Sequence, residues 1–345
     1  MAKTILITGG AGFIGSNFIR YVLAESDVSV VNLDALTYAG NLENLTAVEG
    51  NSRYHFVHGR IENSELVRYI CKEFKVDGII NFAAESHVDR SIENAQPFVD
   101  TNISGTLALM TIARELCLER FLQVSTDEVY GSLGAHGEFT EESPLAPNSP
   151  YAAAKAAADC LVRSFVHTYN FPAVITRCSN NYGAYQFPEK LIPLMILNAL
   201  ENKPLPVYGD GLNVRDWISA RDHSAAVWLA YTHGKIGEVY NVGADSERKN
   251  IEVIKAILAL TGKGEELISY VKDRPGHDRR YAIDSTKIRT ELCWKPTVPF
   301  ENGLAETVKW YQENSEWCAH VRSGEYMKYY KKQYGVRVSV SGKPV

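Results

Sequence analysis

Residues 4–16, TILITGGAGFIGS, decide the fold of this chain. A short apolar run ends at Thr8, and three spaced glycines then lead into a segment with helical periodicity. Glycines allow a tight turn and the close approach of a pyrophosphate to a helix N-terminus, where free N–H groups favour anions. The order of strand, glycine turn and helix therefore predicts a dinucleotide-binding site that includes Gly9, Gly12 and Gly15.

An acidic residue follows where such a site needs one. Val28–Leu33 is a second predicted strand, and Asp34 comes directly after it. A carboxylate about 20 positions beyond the glycines binds the adenosine ribose hydroxyls of NAD and repels the 2′-phosphate of NADP. The sequence thus predicts NAD as the cofactor.

Strands and helices alternate along the first 180 residues. The later predicted strands are Tyr54–Val57, Gly78–Phe82, Phe121–Val124 and Ala173–Arg177, and the predicted helices include Glu65–Phe74, Pro97–Leu116 and Tyr151–Tyr169. This alternation is typical of an α/β Rossmann-type fold, a doubly wound parallel sheet with strand order 3-2-1-4-5-6. Shorter mixed elements follow, so we expect an NAD-binding domain over residues 1–180 and a smaller mixed α/β lobe over 181–345 that binds the substrate.

Side chains suited to catalysis come directly after the apolar strand Phe121–Val124. Thr126, Asp127 and Glu128 stand at its carboxyl end, where ligands of parallel sheets bind. Tyr151 and Lys155 are four residues apart and therefore share one face of a predicted helix. An ammonium beside a phenol favours the phenolate, so this pair predicts a tyrosine base of lowered pKa.

The bulk composition excludes several classes of protein. The 345 residues are 45% hydrophobic and 22% charged, with a net charge of −5 and no basic block, which argues against nucleic acid or an anionic membrane surface as a partner. No apolar run reaches the roughly 18 residues of a membrane helix, and the N-terminus leaves no room for a signal peptide. Six widely spaced cysteines indicate reduced thiols in the cytoplasm. The histidines match no metal-ligand spacing, so we predict no metal.

The assembled residues resemble the extended short-chain dehydrogenase/reductase family, which combines the glycine motif with a Thr and Tyr-x-x-x-Lys set. Within it, the resemblance is to nucleotide-sugar 4,6-dehydratases and covers nearly the whole chain. The matching stretches are DALTYAGNLENL (34–45), NFAAESHVDRSI (81–92), VSTDEVYGSLG (124–134), SNNYGAYQFPEKLIPL (179–194), YGDGLNVRDWI (208–218) and RPGHDRRYAID (274–284). The Thr-Asp-Glu triplet is the most specific of them.

The resemblance implies an enzyme that removes water from dTDP-glucose with bound NAD. Tyr151 would take the C4 hydroxyl proton, and Thr126 would bind the C4 oxygen. Glu128 would remove the C5 hydrogen as a base, while Asp127 would protonate the departing C6 hydroxyl as an acid. Lys155 would lower the pKa of Tyr151 and hold the nicotinamide ribose.

The resemblance also implies two sets of binding residues and a homodimer. Besides the glycines, Tyr151 and Lys155, the NAD set comprises Phe13, Ile14, Asp34, Leu36, Thr37, Ile61, Ala83, Ala84, Ser86, Thr101 and Asn181. Besides Thr126, the nucleotide-sugar set comprises His87, Asn180, Glu189, Lys190, Leu191, Pro206, Tyr208, Arg215, Asn250, Arg274, His277 and Tyr281. The dimer would form through a four-helix interface of Pro97–Leu116 and Tyr151–Tyr169, with Leu107, Met110, Leu161 and Phe165 on their outer faces.

Three departures from the family pattern, and two other functions, keep alternatives open. Arg60 stands where the family has an Asp that accepts from the adenine amino group, and an Arg accepts no hydrogen bond. Ala152–Ala154 stand where the family commonly has serines between the Tyr and the Lys. In the substrate lobe, Ile218–Asp222 replaces a more aromatic, acidic segment and Ala184 replaces a common Pro. The alternatives are dehydration of a UDP-linked sugar, and a non-catalytic NAD-binding sensor on the same fold.

Overall fold

The computed structural model describes residues 3–273 and 276–323, and a parallel sheet forms its centre. The strands are β1 (Thr4–Thr8), β2 (Ser29–Asp34), β3 (Tyr54–His58), β4 (Gly78–Asn81), β5 (Arg120–Thr126), β6 (Ala173–Cys178), β7 (Asn180–Tyr182), β8 (Leu205–Tyr208), β9 (Val214–Ser219), β10 (Val239–Val242), β11 (Glu247–Lys249) and β12 (Ile268–Val271). Seven of them pair in the order β10-β6-β5-β4-β1-β2-β3, all parallel. The predicted order of the first six is confirmed, and β10 adds a seventh beside β6.

Helices cover both faces of this sheet and also form much of the C-terminal half of the chain. They are α1 (Phe13–Glu25), α2 (Ser64–Glu73), α3 (Val88–Glu93), α4 (Gln96–Phe98), α5 (Thr106–Glu115), α6 (Pro150–Tyr169), α7 (Leu191–Leu200), α8 (Ala220–His233), α9 (Asn250–Thr261), α10 (Thr286–Leu292), α11 (Phe300–Glu313) and α12 (Ser315–Ser323). Helices α1 and α8 bury one apolar core against the sheet, and α2, α5 and α6 bury a second core on the other face. The predicted doubly wound fold is therefore confirmed.

A third apolar core belongs to the C-terminal half of the chain. It joins α7, α9, α11 and α12 to β8, and two small sheets, β11-β9-β7 and β12-β8, lie in this half. Strand β10 and helix α8 also come from this half, yet they complete the large sheet and its helical layer. The boundary at residue 180 stays a prediction.

The segment predicted as one helix over Pro97–Leu116 is divided into three pieces. A π-helical stretch, Val99–Gly105, separates α4 from α5. Within it, the Asn102 side chain donates to the Glu85 carbonyl at 3.0 Å and accepts from the Glu85 N–H at 2.9 Å. Gly105 lies so close to Ile61 that a Cβ would come within 2.5 Å of its Cδ1. The wider π turn thus fits the backbone between the loops that follow β3 and β4, a recurrent use of this geometry near functional sites.

The outer faces predicted for the dimer helices need correction. Met110 and Phe165 belong to the core beneath the helices, and Leu161 is half-buried against it. Leu107 is the member of the predicted set that is exposed, at 39%. Residues three positions apart lie about 60° apart around a helix, so Leu107 and Met110 fall on either side of the border between the surface and core faces of α5.

Candidate active site

The glycine turn between β1 and α1 is shaped by close backbone packing. Gly9 has φ +68°, and a Cβ there would lie 2.7 Å from the Ala83 backbone. A Cβ at Gly15 would lie 2.3 Å from the Gly9 carbonyl oxygen. At Gly12 a Cβ would meet only one protein atom, at 3.4 Å. Packing therefore requires glycine at positions 9 and 15. At Gly12 the protein would accommodate a Cβ, and the absence of a side chain instead leaves space in the cavity for a ligand.

The N-terminus of α1 fits the pyrophosphate of a dinucleotide. Gly12 is the N-cap residue and offers no side-chain cap, and the first turn carries no acidic residue. The first N–H groups of the helix therefore keep their capacity to donate to an anion. Gly12, Phe13, Ile14 and Gly15 all line the same cavity.

Asp34 is held rigidly at the end of β2. Its carboxylate accepts hydrogen bonds from the backbone N–H groups of Ala11 and Leu36, each at 2.8 Å. Burial raises the pKa of Asp34, and these two N–H groups oppose that rise. The side chain lines the cavity, which fits a dinucleotide ribose. Leu36, predicted as a cofactor residue, instead packs its side chain into the core.

Two charged side chains lie at this end of the cavity. Thr101 donates to Glu62 at 2.8 Å, and both residues line the cavity wall. Arg60 is exposed on the same wall, and its charge partly offsets the burial that raises the pKa of Glu85. A cation therefore stands where the family pattern has an acceptor.

Strand β5 and the turn after it place the candidate catalytic residues. The strand runs through Thr126, whose hydroxyl caps the following 3-10 turn by accepting from the Glu128 N–H at 3.3 Å. The same hydroxyl donates to Asp127 at 3.3 Å and shares a hydrogen bond with Tyr151. Thr126 thus links the acid pair on the turn to the phenol on α6.

The two neighbouring carboxyl groups have different surroundings. Asp127 is 2% exposed, and burial, followed by the charges of Glu128 and Asp216, raises its pKa well above the ordinary range. Glu128 is half-buried on the cavity wall. The two carboxyls therefore differ in their tendency to hold a proton, which one acid and one base in the same site require.

The electrostatics of Tyr151 and Lys155 differ from our expectation. Burial, and next the charge of Glu128, raise the pKa of Tyr151 well above its usual value. Burial lowers the pKa of Lys155, whose Nζ donates to the Val124 carbonyl at 2.6 Å. The predicted lowering of the tyrosine pKa by Lys155 is therefore not borne out, because burial and the charge of Glu128 raise that pKa instead.

Residues from three loops meet at the rim of the cavity around Glu189. Arg90 lies 3.6 Å from the Glu189 carboxylate, with its guanidinium 3.7 Å from the Tyr38 ring centre. His87 lies 3.6 Å from the same carboxylate, and Lys190 donates to the Ser86 carbonyl at 2.9 Å. The segments that follow β2 and β4 are thereby joined to Glu189 and Lys190 across the opening of the cavity.

A second group of predicted substrate residues borders the acid pair. The buried Arg215 guanidinium lies 4.3 Å from the Tyr281 ring centre and donates to the Asp278 carbonyl at 3.0 Å. Arg215 opposes the rise in the pKa of Asp127, and Glu128 contributes to the rise in the pKa of Tyr281. Arg215 and Tyr281 are thus electrostatically coupled to the candidate catalytic carboxyls.

The remaining predicted substrate residues lie further along the C-terminal lobe. Nδ1 of His277 donates to the Asp273 carboxylate at 2.6 Å, and the His277 ring lies 6.1 Å from that of Tyr208. The Asn250 N–H donates to the Asn213 carbonyl at 2.9 Å, next to β9. Pro206 and Tyr208 are on β8. Arg274 lies outside the described residues.

The cavity brings together most of the predicted site. It is lined by all five predicted catalytic residues and by the whole predicted NAD set except Leu36. Of the predicted substrate set it also includes Asn180, Glu189 and Lys190. His87, Leu191, Pro206, Tyr208, Arg215, Asn250, His277 and Tyr281 do not line it.

Sequence reasoning missed several residues of the wall, among them Glu85, Cys178, Ser179, Gln186 and Phe187. The only signal was their position next to matched motifs, since none of these residue types indicates a cofactor alone. Over residues 3–273 and 276–323, no group of three His, Cys, Asp or Glu side chains could hold a metal ion. In the same ranges, no helix is long and apolar enough to cross a membrane.

Comparison with known proteins agrees with this geometry. A family model described as GDP-mannose 4,6 dehydratase matches residues 6–307. A dTDP-glucose 4,6-dehydratase from Xanthomonas campestris pv. campestris (strain B100) is 54% identical, over 94% of this chain and 97% of that protein.

Solved structures give the same result. The crystal structure of a Bacillus anthracis dTDP-glucose 4,6-dehydratase in complex with NAD is 51% identical, with a TM-score of 0.88 over 93% of this chain and all of that one. The Streptomyces venezuelae dTDP-glucose 4,6-dehydratase with NAD and TYD bound is 48% identical, with a TM-score of 0.89 over 91% of this chain and 98% of that one.

The Rossmann-type sheet, the glycine turn and the Tyr-x-x-x-Lys helix define an extended short-chain dehydrogenase/reductase. Within that class, the chain belongs to the family of dTDP-glucose 4,6-dehydratases. The resemblance deduced from the motifs is confirmed.

Proposed function

We propose that this enzyme removes water from dTDP-glucose to give dTDP-4-keto-6-deoxyglucose, a step of deoxysugar biosynthesis, with NAD as its bound cofactor. The observation that carries the proposal is the cluster of Thr126, Asp127, Glu128 and Tyr151 in one cavity with the glycine turn and Asp34. When bound, NAD supplies an oxidant that takes a hydride from C4 of the sugar and later returns it to C6. The overall reaction is therefore redox-neutral.

The protein's own groups would handle the protons. Tyr151, acting as the phenolate, takes the C4 hydroxyl proton as C4 becomes a ketone, and Thr126 donates to the C4 oxygen. The ketone makes the C5 hydrogen acidic, and Glu128 removes it as a proton. Asp127 gives its proton to the C6 hydroxyl, which leaves as water while the C5–C6 double bond forms. Glu128 then returns a proton to C5, and the proton held by Tyr151 passes through solvent to Asp127, so the side chains are restored and the product is substrate minus one water.

The half-buried Glu128 and the buried Asp127 suit these opposite duties. The raised pKa of Asp127 favours its protonated form, as a general acid requires. A substrate bound between them would place C5 and C6 at neighbouring carboxyls on one turn. The hydrogen bond from Lys155 to the Val124 carbonyl would hold α6 against β5 and so keep Tyr151 in position.

The test is turnover of dTDP-glucose by the purified enzyme in deuterated water. We expect a product that has lost one water and carries one deuterium at C5, as seen by mass spectrometry and NMR. Turnover of UDP-glucose with none of dTDP-glucose would assign the enzyme to a UDP-linked sugar. NAD binding without turnover of any nucleotide sugar would favour the sensor.

We further infer a homodimer built on α5, α6 and the helical stretch before α5. Val99 and Leu107 are 40% and 39% exposed on this surface, and α6 packs beside it. The variant Leu107→Glu should sediment as a monomer, because a charge would be buried in the interface. Ile236→Glu is the matched control, since Ile236 is exposed elsewhere on the molecule. A wild-type monomer would disprove the inference.

We also infer a cytoplasmic location from the cysteines. All six are free thiols, three of them buried, and unpaired cysteines are typical of reducing compartments. Cell fractionation with a periplasmic marker would test this, and recovery with that marker would overturn it.

A further inference from the structure

Asn181 in the cavity wall has each of its side-chain polar groups held by a neighbour. Its Nδ2 donates to the Ser179 carbonyl at 3.0 Å, and its Oδ1 lies 2.8 Å from Nδ1 of His223 on α8. The Asn181 side chain also hydrogen-bonds to the Cys178 thiol. The segment from Cys178 to Asn181 is therefore tied together by one amide, and that amide is tied to α8.

These contacts fix the tautomer of His223. The Ser179 carbonyl is only an acceptor, so the amide nitrogen of Asn181 must face it and the amide oxygen must face the imidazole. An amide oxygen is also only an acceptor, so Nδ1 of His223 must carry the hydrogen. The other ring nitrogen, Nε2, is buried with no hydrogen-bond partner among the described residues.

Packing alone does not account for this histidine. His223 is 0% exposed, and burying a ring nitrogen without a partner costs desolvation free energy that an apolar side chain would avoid. The polar atom that does find a partner is Nδ1, and that partner is a wall residue of the cavity.

The wall that His223 reaches is the catalytic end of the cavity. Cys178 interacts electrostatically with Lys155 and with Asp127, and Asn181 follows it after two residues. Asp34 and the glycine turn form the other end. A nicotinamide ring must lie beside Tyr151 to react, so this wall borders it.

We propose that His223 is a positioning residue: its Nδ1–H holds the Asn181 amide so that the wall over Cys178–Asn181 keeps the shape that retains NAD. The proposal rests on the proposed function, because it assumes that NAD occupies this cavity. His223 touches neither cofactor nor substrate, and it acts through Asn181.

Three substitutions separate positioning from packing. His223→Asn puts an amide nitrogen where Nδ1 stood and keeps the donor, whereas His223→Gln moves the amide to the place of Nε2. His223→Leu fills the site with no donor. Val227→Ala, at a fully buried position on the same helix, is a control for loss of packing without loss of this hydrogen bond.

The measurements are NAD per subunit after gel filtration and the rate of NAD release into excess unlabelled NAD. We expect His223→Asn and Val227→Ala to release NAD as slowly as wild type. His223→Gln and His223→Leu should release it about tenfold faster, as loss of one buried hydrogen bond implies. Nitrogen-15 NMR of the wild-type imidazole should show the Nδ1–H tautomer with or without NAD.

Each other outcome has a separate meaning. Equal release by His223→Asn and His223→Gln would overturn the positioning role and leave packing as the explanation. An Nε2–H tautomer would overturn it as well. If the wild-type enzyme bound no NAD, the proposed function itself would fail, and the positioning role with it.

Discussion

Asp127 and Glu128 are consecutive in the chain, yet the first carboxyl is buried and the second is half-buried on the cavity wall. The difference arises because Thr126 ends β5 and caps the 3-10 turn, which directs one side chain beneath the site and the next towards its opening. Burial then raises the pKa of Asp127, and the neighbouring Glu128 raises it further. Local backbone geometry thus gives two chemically similar residues different surroundings, as the proposed roles of one acid and one base require.

Exchanging each carboxyl for its amide should stop the reaction at different steps. In Glu128→Gln the bound nicotinamide should become reduced, but C5 should not exchange with solvent, because the base is missing. In Asp127→Asn, C5 should exchange while water loss falls about 10²- to 10⁴-fold, the usual contribution of a general acid. Absorbance of reduced nicotinamide and deuterium at C5 distinguish the two. Exchange at C5 in Glu128→Gln would assign the base elsewhere.

The charge of Glu128 should also govern the titration of Tyr151. Glu128 is the largest cause after burial of the raised pKa of that phenol. Removing the charge in Glu128→Gln should therefore lower the pKa of Tyr151. The pH profile of nicotinamide reduction should then shift towards lower pH, which stopped-flow measurements over a pH series would detect.

Tyr151→Phe is the control for this titration. It should abolish nicotinamide reduction at every pH while leaving NAD bound, since only the hydroxyl is removed. An unchanged pH profile in Glu128→Gln would show that the two groups are not coupled.

A buried ion pair beneath the site should dominate the stability of α6. Asp159 accepts from Arg177 at 2.8 Å, and both side chains are less than a tenth exposed. Asp159→Asn leaves the guanidinium buried without its counter-charge, so the free energy of unfolding should fall by about 3–5 kcal/mol. The matched exposed pair is Arg68 with Glu115, also at 2.8 Å.

There Glu115→Gln should cost far less than Asp159→Asn, because solvent screens that pair. Urea unfolding of both variants measures the difference. Similar decreases in the free energy of unfolding for the two variants would show that burial does not make the Asp159–Arg177 pair more important for stability than the exposed pair.

The sequence predicts the part of this molecule that depends on local pattern. The alternation of strands and helices specifies a parallel sheet, and the glycine turn and Asp34 specify a dinucleotide site by their spacing alone. The acid triplet is also local, since Thr126, Asp127 and Glu128 are neighbours. The sequence also places this triplet at the end of β5, which is the position from which the proposed acid and base roles were predicted.

Features that depend on tertiary contacts were not predictable in this way. The residue types of Val99–Gly105 do not by themselves specify a π turn, which accompanies the packing of this stretch against Ile61 and Glu85. The distribution of Met110 and Leu107 between core and surface depends on what α5 packs against. His223 and Asn181 are 42 residues apart, and nothing local marks their hydrogen bond.

His223 should make the stability of the enzyme depend on pH below neutrality. Burial lowers the pKa of His223 from 6.5 to about 4. Between pH 6.5 and pH 4, His223 is protonated in the unfolded chain but neutral in the folded chain. The free energy of unfolding therefore falls as the pH falls through this range. The contribution is fully present above pH 6.5 and is lost towards pH 4.

The loss from this one group between pH 7 and pH 5 should be about 2 kcal/mol. His223→Asn keeps the donor to Asn181 but cannot titrate, so it should lack this part of the pH dependence. The exposed histidines are common to both proteins and cancel in the comparison. Urea unfolding of both proteins at pH 7 and pH 5 gives the difference, and parallel losses would mean that His223 is not buried in its neutral form.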